Sequence, residues 1–227
     1  WVMVYDRRNI TVWTRKVPDG CPVKEVRIRA QWSDIKPETM YSVLHDHEYR
    51  FLWDANMIDG YPIRIIDKNN EIGYYAAKSP SGMKNRDFCT KRGWSRDLEK
   101  GIWIIMNQSV KCKDCPQYKH YIRAQSHRTG YVIKKMDNGG SEVYFFSRAD
   151  PKGSIPKFMV NWVATKYAPM TIERVKLAVE GYEEWKASAP NGWSSYKFWE
   201  DSDEDLTEAS DTEGQWYVTE EETIRNE

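Results

Sequence analysis

The longest helical pattern in the chain covers residues 153–186, and it limits what the remainder can fold into. Ser154 is suited to cap its start, and Pro156 falls in the first turn, where a missing N–H does no harm. Pro169 removes one backbone hydrogen bond and is expected to kink the helix. Apolar side chains recur every three or four residues on both sides of this proline, namely Phe158, Met159, Trp162, Val163, Tyr167, Ile172, Val175, Val179 and Tyr182. A helix with so bulky an apolar face needs a large apolar surface to pack against.

The rest of the chain has patterns that predict such a surface. Alternating apolar and polar residues predict two paired strands, and a segment with helical spacing at 37–54 predicts two short helices. Period-two alternation then returns. The predicted strands are 10–16, 24–32, 63–67, 73–78, 87–94, 101–111, 121–135 and 143–149. Short connections favour an antiparallel sheet, so the predicted fold class is α+β with the helices segregated from the sheet. A curved sheet on one long helix can enclose an apolar cavity, although the same pattern also fits a filled core.

Composition and charge divide the chain into a basic body and an acidic tail. The 227 residues, 40% hydrophobic and with 11 tryptophans, predict a globular core, and no run of 18 apolar residues predicts a membrane span. Residues 198–227 hold 12 acidic side chains and one basic side chain, so the first 197 residues carry a net charge of +11. We expect the body to meet anionic membrane surfaces and the tail to weaken that contact.

The tail follows a linker at 187–192 and is polar enough to predict disorder. Ser202, Ser210 and Thr219 each precede acidic residues, which is the pattern that acid-directed kinases favour. Phosphorylation there would add negative charge to an already acidic segment.

Four cysteines, Cys21, Cys89, Cys112 and Cys115, stand at irregular spacing. We interpret them as free thiols in a reducing compartment. The Cys112–Cys115 pair has the CxxC form with His120 nearby, but no second pair stands at a zinc spacing. A polar hairpin loop is therefore the favoured interpretation and metal or redox use the alternative. We expect neither a metal nor a cofactor.

Three groups of residues, taken together, resemble a known family. They are Tyr49-Arg50 with Trp53-Asp54, the run Asn85-Arg86-Asp87-Phe88, and the run at 150–156. In this order and spacing the chain resembles the START lipid-transfer family over residues 1–186, with 187–227 as linker and acidic tail. The nearest branch is that of the phosphatidylcholine transfer proteins, above all the member that also carries phosphatidylethanolamine. The family has a further helix before the first strand, which we expect to be incomplete here.

The resemblance implies a helix-grip fold, in which the sheet and the long C-terminal helix enclose one lipid in a tunnel. Arg50 stands at the position that binds the lipid phosphate and Asp54 at that of its partner, whereas spacing alone would fit an ordinary surface pair. Tyr75, Phe88 and His127 stand at the positions of an aromatic cage for choline, so this cage is incomplete and phosphatidylethanolamine is expected to bind as well. The implied tunnel and gate residues are Leu44, Met83, Arg86, Phe158, Met159, Trp162 and Val163, for which plain core packing is the alternative.

The predicted function is intracellular transfer of a phosphatidylcholine or phosphatidylethanolamine molecule, with no covalent step. We expect a monomer that is cytoplasmic and peripheral at membranes. A sterol carrier or a lipid sensor on the same fold is the alternative, and it would make poor use of Arg50 and Asp54. A lipid-acting enzyme is less favoured, because the four histidines stand in no nucleophile–base motif. Nucleic-acid binding is disfavoured because the basic residues are scattered.

Overall fold

The computed structural model describes residues 1–17, 23–154 and 168–188. These residues form ten strands and three helices in an α+β arrangement, as the sequence predicted. The strands are β1 (Val2–Arg7), β2 (Ile10–Arg15), β3 (Glu25–Trp32), β4 (Met57–Asp67), β5 (Asn70–Ala77), β6 (Arg86–Asp97), β7 (Ile102–Ser109), β8 (Ile122–Arg123), β9 (Gln125–Lys135) and β10 (Ser141–Asp150). The helices are α1 (Pro37–His45), α2 (His47–Trp53) and α3 (Ala168–Ser188).

One curved sheet contains all the strands in the order β1-β2-β3-β10-β9-β7-β6-β5-β4. Every neighbouring pair along this path is antiparallel, as the short connections predicted, whereas the two-residue β8 pairs with β6 in parallel. Strand β1 is not among the predicted strands, and β8 and β9 together correspond to the single predicted strand 121–135. The pairing of β3 with β10 joins the two halves of the sheet.

Helices α1 and α2 pack between the sheet and α3. Pro37 occupies the start of α1, and Asp46 caps α2 by accepting a hydrogen bond of 2.8 Å from the Tyr49 amide. Two buried phenols fix α2 on α3, because Tyr49 OH donates to the Ala178 carbonyl (2.7 Å) and Tyr182 OH donates to Asp46 (3.1 Å). The residue after Tyr49, which is Arg50, is thereby held in a defined position.

The apolar stripe predicted for the long helix is buried in α3. Ile172, Val175, Val179 and Tyr182 pack with α1 and with the inner faces of β2, β3, β7, β9 and β10 in the main core. This core fills one end of the space under the sheet. The predicted kink lies at the edge of the described helix, and Phe158, Met159, Trp162, Val163, Ser202, Ser210 and Thr219 lie outside the described residues.

Candidate ligand-binding cavity

Beyond the main core, the sheet and the helices enclose a cavity of about 480 Å³. This volume falls within the range of about 300–1,000 Å³ that is typical of ligand sites. Its walls come from the inner faces of β3 to β7, β9 and β10 and from all three helices, together with the loop that follows β5. Most of the lining is apolar, so the polar side chains that face this space identify what it can hold.

Arg50 and Asp54, which the sequence placed four residues apart on one helix, meet at this cavity. The Arg50 Nε donates to Asp54 Oδ2 at 3.0 Å, and the Tyr75 hydroxyl donates to the same oxygen at 2.9 Å. The other Asp54 oxygen accepts a hydrogen bond of 3.2 Å from the Asn56 amide. The carboxylate is only 7% exposed. Asp54 is therefore a buried anchor that orients Arg50 and Tyr75, which argues against the alternative of an ordinary surface pair.

Arg50 keeps hydrogen-bonding capacity that faces the cavity. Its guanidinium lies 4.8 Å from the centre of the Tyr75 ring and 5.4 Å from that of Trp53, which fixes its plane. Among the described residues only Nε has a hydrogen-bond acceptor, which leaves Nη1 and Nη2 unoccupied. Burial by itself would lower the pKa of Arg50, but Tyr75, Asp54 and Tyr131 outweigh that effect and raise it. A fixed, charged fork of two nitrogens is suited to bidentate binding of an oxyanion.

Two of the predicted cage residues stand beside this arginine. Tyr75 on β5 and Phe88 on β6 are direct cross-strand partners, their ring centres are 6.3 Å apart, and both line the cavity. Leu44 at the end of α1 and Met83 in the loop after β5 line it too. The structure thus brings Arg50, Asp54, Tyr75 and Phe88 to one site.

His127 is not among the cavity-lining residues, although its position in the sequence favoured the inner face. Strict alternation on β9 would place it on the same face as Thr129 and Tyr131, which do line the cavity. A β-bulge interrupts that alternation, because Arg148 pairs with Arg128 and the next residue, Ala149, pairs with Ser126. Ser126 consequently faces the cavity, and His127 lies near the Asp150 carboxylate instead.

Arg86 and Asp87 begin β6, and because side chains alternate along a strand they lie on opposite faces of the sheet. Arg86 lines the mouth of the cavity, and its guanidinium donates to the carbonyls of Lys84 (2.6 Å), Pro151 (3.1 Å) and Lys152 (3.1 Å) and to the Ser79 hydroxyl (3.3 Å). It therefore joins two loops. On the outer face, Asp87 forms a bidentate pair with Arg123 at 3.0 and 2.9 Å.

A row of polar side chains crosses the inner face of the sheet, and the sequence analysis did not identify it. Cross-strand pairing places Glu71, Arg92, Asn107, Thr129 and Ser147 side by side on five strands. Arg92 donates to Glu71 (3.1 Å) and to the Leu44 carbonyl (2.8 Å). All five side chains and the neighbouring Ser126 line the cavity. Small polar residues in alternating strands carry no distinctive signal, so only the register brings them together.

The cysteine pair lies on the opposite side of the sheet from the cavity. Cys115 is buried against Cys89 of β6, and a turn joins the Cys115 amide to the Cys112 carbonyl at 3.2 Å. Burial, with a further contribution from Cys115, raises the pKa of the Cys89 thiol to about 12, so it stays protonated and unreactive near neutral pH. Within residues 1–17, 23–154 and 168–188, no group of His, Cys, Asp and Glu is arranged to hold a metal ion.

None of the helices in the described ranges is long and apolar enough to cross a bilayer.

Comparison with known proteins identifies the family to which this chain is similar. The START domain family model matches residues 1–186. Human START domain-containing protein 10 is 37% identical over 187 residues, which are 82% of this chain and 63% of that protein. Mouse phosphatidylcholine transfer protein is 23% identical over 188 residues, which are 80% of this chain and 85% of that protein. The chain thus spans less than two thirds of the length of human START domain-containing protein 10.

Solved structures agree with this assignment. The crystal structure of human STARD10 matches with a TM-score of 0.80 at 34% identity and covers 88% of this chain and 80% of that one. The lipid-transfer domain of human StarD13, at 24% identity and a TM-score of 0.68, covers 79% and 88% and supports the fold alone. The helix-grip arrangement expected from the sequence is thereby confirmed, and the chain belongs to the START domain family.

Proposed function

We propose that this chain binds one glycerophospholipid, phosphatidylcholine or phosphatidylethanolamine, and transfers it between membranes. The lipid phosphate binds the Nη1 and Nη2 atoms of Arg50, and the acyl chains occupy the apolar part of the cavity. No covalent step is involved. The similarity to phosphatidylcholine transfer protein supports a phospholipid as the cargo.

The observation that carries this proposal is the state of Arg50. Its Nε is held by Asp54, its face rests on Tyr75, and its other two nitrogens meet no acceptor in the described part of the chain. A charged group of this kind is costly to keep beside an apolar cavity unless a ligand completes its hydrogen bonds. A phosphate diester supplies both an opposite charge and the two oxygens that the fork requires. A sterol hydroxyl would satisfy at most part of it.

Transfer also requires a transient contact with a membrane surface. The net charge of +11 over residues 1–197 supports docking on anionic lipid, with each suitably placed basic residue contributing about 1 kcal/mol. We place this exchange at the cytoplasmic surface of membranes and the protein as a monomer during transit.

The proposal is tested by the lipid that the purified full chain acquires from a mixed cellular lipid extract. We expect native mass spectrometry to detect one phosphatidylcholine or phosphatidylethanolamine per chain. Arg50→Ala should lower phospholipid occupancy by about 100-fold, because it removes a bidentate, charge-assisted contact. The matched control is Arg7→Ala, which removes an exposed arginine on β1 far from the cavity.

Removal of Arg50 alone leaves Asp54 buried without its cation, so stability is measured in parallel. The double variant Arg50→Met with Asp54→Asn removes both charges and keeps the volume of the site. It should fold and still carry no phospholipid. A sterol that remains bound in both variants would support the alternative of a sterol carrier. Phospholipid retained at wild-type levels would refute the role of Arg50.

A further inference from the structure

The polar row on the inner face includes four side chains that form a continuous hydrogen-bonded unit, which we call the hydroxyl row: Asn107, Ser126, Thr129 and Ser147. Ser126 Oγ lies 3.2 Å from Asn107 Oδ1 and 3.0 Å from Thr129 Oγ1, and Thr129 Oγ1 lies 3.1 Å from Ser147 Oγ. The Ser126 amide is held in turn by Ser109 Oγ at 2.8 Å. These contacts fix the positions of the three hydroxyl oxygens.

The hydroxyl row presents acceptors to the cavity. Three hydroxyl protons are sufficient for the three contacts inside the row, so the hydroxyl donors can all be used internally and only the Asn107 amide keeps N–H groups. Each hydroxyl oxygen has two lone pairs and spends at most part of them on its neighbours. Such a surface suits a ligand group that carries N–H bonds. It gives no hydrogen bond to a quaternary ammonium, whose nitrogen carries only methyl and methylene groups.

The hydroxyl row lines the same cavity as Arg50, and Tyr131 lies between the two along the lining. Thr129 is two residues from Tyr131 on the same face of β9, a distance of about 7 Å along the strand. Tyr131 is near enough to Arg50 to act on its charge. We infer that a phosphate on Arg50 directs its headgroup nitrogen, two carbons further on, towards this part of the wall of the same cavity.

Apolar cargo gives no reason for such a row. Four polar side chains in the wall of a cavity that holds acyl chains would lose hydration without any return from the ligand. The neighbouring row of cross-strand partners towards the core, which contains Ile105, Phe145 and Ile28, is by contrast mainly apolar. Towards the core, the polar row thus gives way to apolar side chains, as expected where a headgroup subsite adjoins the space for acyl chains.

We propose that the hydroxyl row is a subsite for the primary ammonium of an ethanolamine headgroup and makes this chain favour phosphatidylethanolamine over phosphatidylcholine relative to a chain without it. This inference rests on the proposed function, because it needs the phosphate on Arg50. The Tyr75 and Phe88 rings remain available to a choline group, so the row changes the ratio of the two lipids and does not exclude either.

The test measures that ratio on the full chain. Protein is incubated with vesicles that contain equal amounts of phosphatidylcholine and phosphatidylethanolamine with matched acyl chains, then separated and analysed by mass spectrometry. The double variant Ser126→Ala with Thr129→Val should lower the ratio of bound phosphatidylethanolamine to phosphatidylcholine by about tenfold, because hydrogen bonds to a charged group are lost. Thr129→Ser keeps the hydroxyl and should keep the wild-type ratio.

The matched control is Thr90→Val, which alters a threonine that lines the same cavity outside the row and should leave the ratio unchanged. If the double variant fails to fold in a thermal melt, Ser147→Ala tests the other end of the row. A ratio that stays constant in a folded variant, or an equal loss of both lipids, would overturn the subsite. A wild-type chain that acquires neither phospholipid would instead refute the proposed function itself.

Discussion

Arg50 and Arg86 line the same cavity, yet their surroundings differ in almost every respect. Arg50 is held by a carboxylate and a phenol ring, and it has two nitrogens left over among the described contacts. Arg86 is 6% exposed and spends its nitrogens on three backbone carbonyls and one hydroxyl. Burial lowers the pKa of Arg86, whereas the neighbours of Arg50 raise the pKa of Arg50.

The difference suggests a criterion for telling a candidate ligand-binding arginine from a structural one in the same cavity. The residue type does not separate them, and neither does the cavity that both of them line. The two arginines are separated by the number of guanidinium nitrogens that have no acceptor, because a guanidinium whose donors are all used cannot bind a ligand. By this measure Arg86 fixes the loops around Ser79 and Pro151, and Arg50 keeps donors for the phosphate that we propose.

The largest effect is expected at Arg86. Arg86→Met should lower the free energy of unfolding by about 3 kcal/mol, because it leaves three carbonyls without their charged donor. Urea denaturation measures this, with the exposed Arg7→Met as the control. A small loss of stability together with a large loss of bound lipid would break the distinction between the two arginines.

The second prediction concerns pH. Both arginines stay charged near neutral pH, so phospholipid binding should not change between pH 7 and 9, whereas stability should change at lower pH through His45. His45 is 3% exposed between the rings of Tyr41 and Trp94, and burial, with Arg92 and Arg96, lowers its pKa well below the ordinary 6.5. The unfolded chain thus binds more protons below pH 6.5, and stability falls there while it is constant above.

The slope of that loss should approach about 1.4 kcal/mol per pH unit for one proton. Urea unfolding at pH 7.5 and pH 5.5 measures it. His45→Gln should remove most of the slope, and His120→Gln, at an exposed position, should keep it. An unchanged slope in the first variant would show that other groups set the pH dependence.

The smallest effect is expected at Tyr75. Tyr75→Phe removes the hydroxyl that donates to Asp54 and keeps the ring under Arg50, so the position of the arginine is only partly loosened. Phospholipid affinity should fall about fivefold, in line with about 1 kcal/mol for one hydrogen bond. Equilibrium exchange with fluorescent phospholipid vesicles measures this change, and Phe88→Leu serves as a comparison that alters a ring without a hydroxyl. A loss as large as that of Arg50→Ala would mean that Asp54 and Tyr75 carry the binding.

The resemblance to the START family predicted much of this site, and long-range register accounts for what it missed. The spacing of Arg50 and Asp54 on one helix is a local property, so the pair could be recognised from the sequence. Tyr75 and Phe88 came from the resemblance, as positions of the choline cage. The place of His127 could not be predicted, because a bulge of one residue shifts the alternation of side chains on β9. Ser126 therefore faces the cavity in place of His127.

The strands themselves show the same limit. Alternation located β2 to β7, β9 and β10 to within a few residues, except that β4 begins six residues earlier than predicted. The row through Glu71, Arg92, Asn107, Thr129 and Ser147 depends on the relative positions of five strands. No window along the chain contains that information, which is why an ordinary-looking set of polar residues became visible only in the sheet.

The pairing of β3 with β10 also determines the stage of chain synthesis at which the sheet can be completed. The Gln31 side chain bonds to Glu142, 111 residues later in the chain. At a synthesis rate of about 5–20 residues per second, the first three strands wait roughly 6–20 seconds for the partner that covers their edge. During that interval the edge of β3 is open to other chains, so the yield of folded protein should depend on translation speed and on chaperones that protect nascent strands.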